Sequence, residues 1–163
     1  MTDEEATSSP FNAFWQDLLD DTAATAAEYE SEGWTVHTLS PGDVTAVYDR
    51  EGPDRLSVLV PDAEFEETQN LVDTGTFDTV EVYRKTVSSV VFLLVVEQDS
   101  ESETAIMLPV YYNTVSDSEF SDVIQKNEEI LLHVHPLDND DGVTFAHEDI
   151  SPFLPDAAPE SSE

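Results

Sequence analysis

Between Val87 and Tyr112 the chain sets the apolar run Val90 to Val96 against a polar break, Gln98 to Glu103, and then a second apolar run that carries Pro109. An unbroken stretch of β-branched and aromatic residues bounded by polar ones is a strand with both faces covered. The second run is a strand as well, but Pro109 has no N–H for a ladder bond, which places it towards an edge or at a bulge. Together they predict an antiparallel pair at the centre of the fold.

The flanking pattern predicts what covers that pair. Phe11, Phe14, Trp15, Leu18, Leu19, Thr22, Ala23 and Ala26 recur at helical spacing after Ser9-Pro10, and Gly33 ends the run. This stripe is a face that packs on the sheet, with a partner-binding face as the alternative. Three short strands follow, Trp34 to Leu39, Val44 to Asp49 and Leu56 to Val60. The turn Ser40-Pro41-Gly42-Asp43 predicts a hairpin between the first two, and Glu51-Gly52-Pro53-Asp54 a second reversal. A helix runs from Pro61-Asp62 to about Asp73 on Phe65, Leu71 and Val72. Phe77 to Val87 is a strand with Phe77, Thr79, Glu81, Tyr83 and Lys85 on one side and Val80, Val82 and Arg84 on the other.

After the central pair, Ser116 and Glu119 read as a capping box for a short helix on Phe120, Val123 and Ile124. Ile130 to His135 and Val143 to Phe145 are strands, and Ser151 to Pro155 is extended. The pattern contains two successive βββα blocks, Trp34 to Gly75 and Phe77 to Lys126. The expected class is α+β, a largely antiparallel sheet built from two β-meander blocks and flanked by about three helices. One domain spans residues 10–155, between disordered ends at 1–9 and 156–163.

Charge changes the picture next. The chain of 163 residues carries 37 Asp and Glu against 5 Lys and Arg, a formal charge of −32. Yet 39% of residues are hydrophobic and fall in periodic runs, so the chain folds rather than staying disordered. Molar salt, with a Debye length of about 3 Å, lets so many carboxylates share one surface. The charge then reads as a solvated surface, with mimicry of nucleic acid or capture of basic tails as the alternatives. Nucleic-acid binding is disfavoured, because no basic stripe is present to neutralise phosphates. The chain contains no cysteine, which removes disulfides and thiolate chemistry. The acidic start is the opposite of a signal peptide, and no run approaches membrane-spanning length, so a cytoplasmic protein without membrane contact is expected.

Gly33-Trp34-Thr35-Val36, Ser40-Pro41-Gly42-Asp43-Val44 and Val60-Pro61-Asp62, set in this acidic, lysine-poor composition, resemble an uncharacterised family of acidic cytosolic proteins from halophilic archaea. The resemblance implies a halophilic origin and brings no activity or catalytic residues with it.

Candidate chemistry is sparse. His133 and His135 are two apart on a strand and share a face, as chelating pairs do. His147 follows across an expected turn at Asp138 to Gly142, so a divalent metal such as zinc on His133, His135 and His147 is one expectation. The pair is similar to the His-x-His of cupins, although Asp138 stands where a glutamate is expected. The alternative is that Ile130, Leu132 and Val134 form the buried face and leave His133 and His135 half-exposed. Arg50, Arg55, Arg84 and Lys85 could build an anion site or simply pair with nearby acids. No nucleophile motif and no glycine-rich phosphate loop is present, and the catalytic residues are unknown. The expected function is a non-catalytic binding or adaptor domain. Its partner would be an unknown protein or a second copy, meeting it through a strand edge. The alternative is a small metal-binding protein or metal-dependent enzyme using His133 and His135.

Overall fold

In the computed structural model, which describes residues 10–49, 51–137 and 142–155, three helices accompany two four-stranded sheets. The elements in chain order are α1 (Pro10–Ser31), β1 (Thr35–Thr38), β2 (Asp43–Val47), β3 (Arg55–Leu59), α2 (Asp62–Thr74), β4 (Thr79–Val87), β5 (Val90–Asp99), β6 (Thr104–Asn113), α3 (Ser118–Asn127), β7 (Ile130–His135) and β8 (Val143–His147), with a 3-10 turn at Ser151–Phe153. Sheet A has the order β1-β6-β5-β4 and sheet B the order β2-β3-β7-β8. The fold is α+β with mostly antiparallel pairing; β1 with β6 and β3 with β7 are the parallel exceptions. The expected cap at Ser9, Arg50, Asp138 and the two chain ends lie outside the described residues.

β5 and β6 pair antiparallel along their whole length, and Val91 to Val96 is at most 3% exposed. Alternation explains how both faces are covered. Val91, Leu93 and Val95 point to sheet B and join Leu56, Val58, Leu132, Val134 and Phe145 in one core. Leu94 and Val96, with Ala105 and Met107, point to α1. The aromatic stripe of α1 packs on the sheet as its spacing requires: Phe11 and Phe14 meet Phe92 at 5.6 and 6.3 Å, and Trp15 meets Tyr111 at 5.3 Å.

Four local expectations need correction. The β1–β2 hairpin does not form: Ser40-Pro41-Gly42-Asp43 turns the chain, but β1 adds in parallel to β6 while β2 crosses into sheet B and pairs with β3. The first block is therefore split between sheets, whereas β4-β5-β6 is a true meander. Pro109 lies in an interior strand, opposite Leu94. The last donor from the β1 side is Leu39, whose N–H reaches the Met107 carbonyl at 2.9 Å. Alternate residues point the same way, so the donor Pro109 lacks faces that side, beyond the end of β1. The Ser116–Glu119 capping box is not made either. The Asn113 side chain takes the Ser116 N–H at 3.0 Å, and the Asp117 carboxylate accepts from the Tyr48 hydroxyl at 3.1 Å. Ser151 to Phe153 is a 3-10 turn rather than extended chain, with Phe153 buried and its carbonyl accepting from the Tyr112 hydroxyl at 2.6 Å.

Candidate functional site

β7 alternates as its sequence requires. Ile130, Leu132 and Val134 are buried, which turns His133 and His135 to the outer face of sheet B, where both are half-buried. Their rings stack, centroids 5.7 Å apart with planes inclined by 24°. The register places Ser57 of β3 and Thr144 of β8 on either side of His133, and Leu59 beside His135. His133 Nδ1 bonds Thr144 Oγ1 at 2.8 Å. His135 Nδ1 lies 2.9 Å from the Pro136 carbonyl, which can only accept, so Nδ1 carries the proton and Nε2 accepts from the Ser57 hydroxyl at 2.8 Å. Burial pushes His133 below its ordinary 6.5, with His135 and Arg55 adding in the same direction. Gly142 makes room for this arrangement: a Cβ there would run into the His133 ring.

His147 is not part of this group. It stands opposite Ile130 in the β7–β8 register and so faces the core, away from His133 and His135. There Nε2 meets Glu97 Oε2 of β5 at 2.6 Å, and the ring stacks on Phe153 at 5.5 Å. Glu97 is 1% exposed. Burial pushes its carboxyl above the ordinary 4.5, and the His147 hydrogen bond pulls the other way. Sequence reading missed Glu97, although its phase gives a signal. It continues the positions of Val91, Leu93 and Val95 and therefore points inward.

Zinc held by both outer imidazoles needs two lone pairs converging at about 2.0–2.1 Å. Nearly parallel rings do not converge, and His135 Nε2 would first have to leave Ser57. Among the described residues no three His, Asp or Glu side chains are gathered around one point.

The basic residues are also dispersed. Arg84 donates to the Ser151 and Leu154 carbonyls at 3.0 and 3.3 Å, tying β4 to the 3-10 turn. Lys85, its neighbour on the strand, faces the other way and lies 5.3 Å over the Phe14 ring. Arg55 donates to the Pro53 carbonyl at 2.7 Å in sheet B, and Arg50 lies outside the described residues. A recess of about 500 Å³ between α1 and β4 has Phe92 and Leu94 as its floor, with Asp21, Glu28 and Lys85 among its walls.

Residues 2–155 match the pattern of a family of unknown function, DUF7529. The chain belongs to that family. No curated protein and no solved structure shows significant similarity to this DUF7529 member.

What distinguishes the outer face of sheet B within it is charge. The register brings one row together from Thr45, Ser57, His133 and Thr144, and a second from Asp43, Leu59 and His135. Val47, Arg55, Leu131 and Ala146 complete the face on the same alternation. Asp43 is the single carboxylate among these strand residues, and Arg55 offsets it. Leu59 and Leu131 belong to neither apolar core. Sheet A has α1 on its outer face; among the described residues no helix packs on the outer face of sheet B. Among those residues, too, no helix is long and apolar enough to cross a membrane.

Proposed function

We propose that this chain is a non-catalytic binding domain of a halophilic archaeal cytoplasm, and that it binds through the outer face of sheet B. The observation that supports the reading is the single carboxylate among the paired strand residues of that face in a chain that holds 37 acidic residues. Taking carboxylates out of water costs several kcal/mol each unless they are paired, and the cores of protein interfaces are accordingly poor in charge. Apart from Asp43 and Arg55, the face is built of Leu, Val, Ala, Ser, Thr and His, which this protein can dehydrate more cheaply than a carboxylate surface. The remaining acidic surface serves as the hydrated shell that keeps the domain dispersed in molar salt. His133, Ser57 and Thr144 supply directional hydrogen bonds at its centre.

A photo-crosslinking amino acid placed at Thr144 should give a discrete protein adduct in cells grown in high salt. The same group at Ala27, an exposed position on α1, should not. Equal labelling from both positions, or none from either, would contradict the assignment of the binding face.

A further inference from the structure

We propose that the recess between α1 and β4 binds a short free peptide of about three residues, taken as a zwitterion with an apolar middle. This site lies on sheet A and is independent of the binding face assigned above to sheet B. The recess exists because α1 rests on β1, β5 and β6 and stops short of covering the edge strand β4. Leu18, Asp21, Ala24, Thr25 and Glu28 recur at helical spacing and form the flank of α1 that looks towards β4. The small side chains of Ala24 and Thr25 leave the space, about 500 Å³, between that flank and Tyr83 and Lys85 of β4. It is the size of a small-molecule site.

The far wall is fixed in place. Tyr83, 47% exposed, donates its hydroxyl to Glu81 Oε1 at 2.9 Å, and Tyr29 donates to the same oxygen at 3.1 Å. Gln98 Nε2 in turn donates to the Tyr29 hydroxyl at 2.7 Å. The Tyr83 ring is thereby held as a preformed apolar side for a ligand, at little entropic cost on binding.

Charge selects the occupant. The Lys85 ammonium sits 5.3 Å over the Phe14 ring, and no carboxylate among the described residues pairs with it. Asp21, seven residues after Phe14 and on the same side of α1, has no cationic partner among those residues either. Seven residues of helix put the two charges roughly 10 Å apart. Three residues of extended peptide span about 10 Å from ammonium to carboxylate. A free peptide of that length meets Asp21 at one end and Lys85 at the other, its middle side chain against Leu18, Ala24 and Tyr83. The Thr25 hydroxyl, one turn on from Asp21, is a further acceptor for the ammonium, and Glu28 adds negative potential at that end. A single amino acid is too short to reach both charges, and an internal segment of a protein carries neither.

Titration calorimetry of the full chain with the tripeptide Ala-Leu-Ala tests the proposal, in molar KCl so that diffuse attraction to the acidic surface is screened. The expected result is saturable binding at millimolar peptide or below. N-acetylation or C-amidation of the peptide should each weaken it about tenfold, as should Asp21→Asn and Lys85→Gln. Ala24→Phe, which fills the recess without removing either charge, should abolish binding, and Ala27→Glu should leave it unchanged. All four positions are exposed, and circular dichroism checks that each variant folds. A general attraction to acid would instead favour the amidated peptide, which carries only positive charge. No saturable heat, tightest binding by the amidated peptide, or binding indifferent to Ala24→Phe overturns the proposal. Each of these results leaves the outer face of sheet B to its own test.

Discussion

Glu97 of β5 and His147 of β8 meet at 2.6 Å inside the core shared by the two sheets, the carboxylate 1% exposed. The contact joins sheet A to sheet B and satisfies two polar groups that neither strand could satisfy alone. Its cost appears in the carboxyl, which burial holds above 4.5 despite the imidazole. A carboxyl whose folded value is raised binds its proton more tightly folded than unfolded. Its contribution to stability is therefore present below about 4.5 and is lost as pH rises through the folded value.

Glu97→Gln keeps the shape and a hydrogen-bonding group but removes that titration. We expect the variant to gain melting temperature relative to the wild type as pH rises from 4 to 7, the difference being smallest at the acid end. Parallel pH curves for the two proteins would show that the buried carboxyl is not held up.

The outer histidines lead to a second expectation. Because the Ser57 hydroxyl occupies His135 Nε2, zinc binding in molar KCl should be no tighter in the wild type than in the His133→Ala/His135→Ala double variant. Ser57→Ala frees that nitrogen and should tighten binding. Titration calorimetry in molar KCl separates these outcomes from diffuse attraction to the acidic surface, which salt screens. A wild-type isotherm much tighter than that of the double variant would restore the metal site.

Phe92 is 3% exposed and sits under Phe11 and Phe14. Phe92→Ala should cost about 3–5 kcal/mol, the usual range for emptying a buried aromatic site. Urea unfolding in molar KCl measures it, and a loss below about 1 kcal/mol would mean that α1 is not anchored there.

Salt should act on the whole domain. At −32 the folded state concentrates like charge that the unfolded chain spreads out. The melting temperature should therefore climb steadily from a few tenths molar to molar KCl. A flat dependence would show that the acidic shell does not strain the fold.

Much of this architecture was legible because it is written locally. The α1 stripe, the β5 run and the alternation of β7 each carry their own period, and the structure places their apolar residues as those periods require, except Ala23 of α1, which is exposed. Partner choice is not local. Ser40-Pro41-Gly42-Asp43 encodes a reversal, yet no residue in it says that β1 will pair with β6 about 70 positions on. The same limit hid the separation of the histidines. His133 and His135 follow from the strand period, but which face His147 takes depends on its register with Ile130. The capping box failed for another reason: the helix begins at Ser118 after Asp117, and the Ser116 N–H is taken by the Asn113 side chain, which does not belong to the motif.

The most direct measurement is binding by the outer face of sheet B itself. Leu131→Glu places a carboxylate on that face beside Ala146, and Ala27→Glu places one on the exposed side of α1. Both variants should be compared with the wild type for complexes recovered from cells in molar KCl, with folding checked by circular dichroism. We expect Leu131→Glu to lose whatever complex the wild type forms, and Ala27→Glu to keep it. Complexes that survive Leu131→Glu unchanged would contradict the assignment of this face as the binding surface.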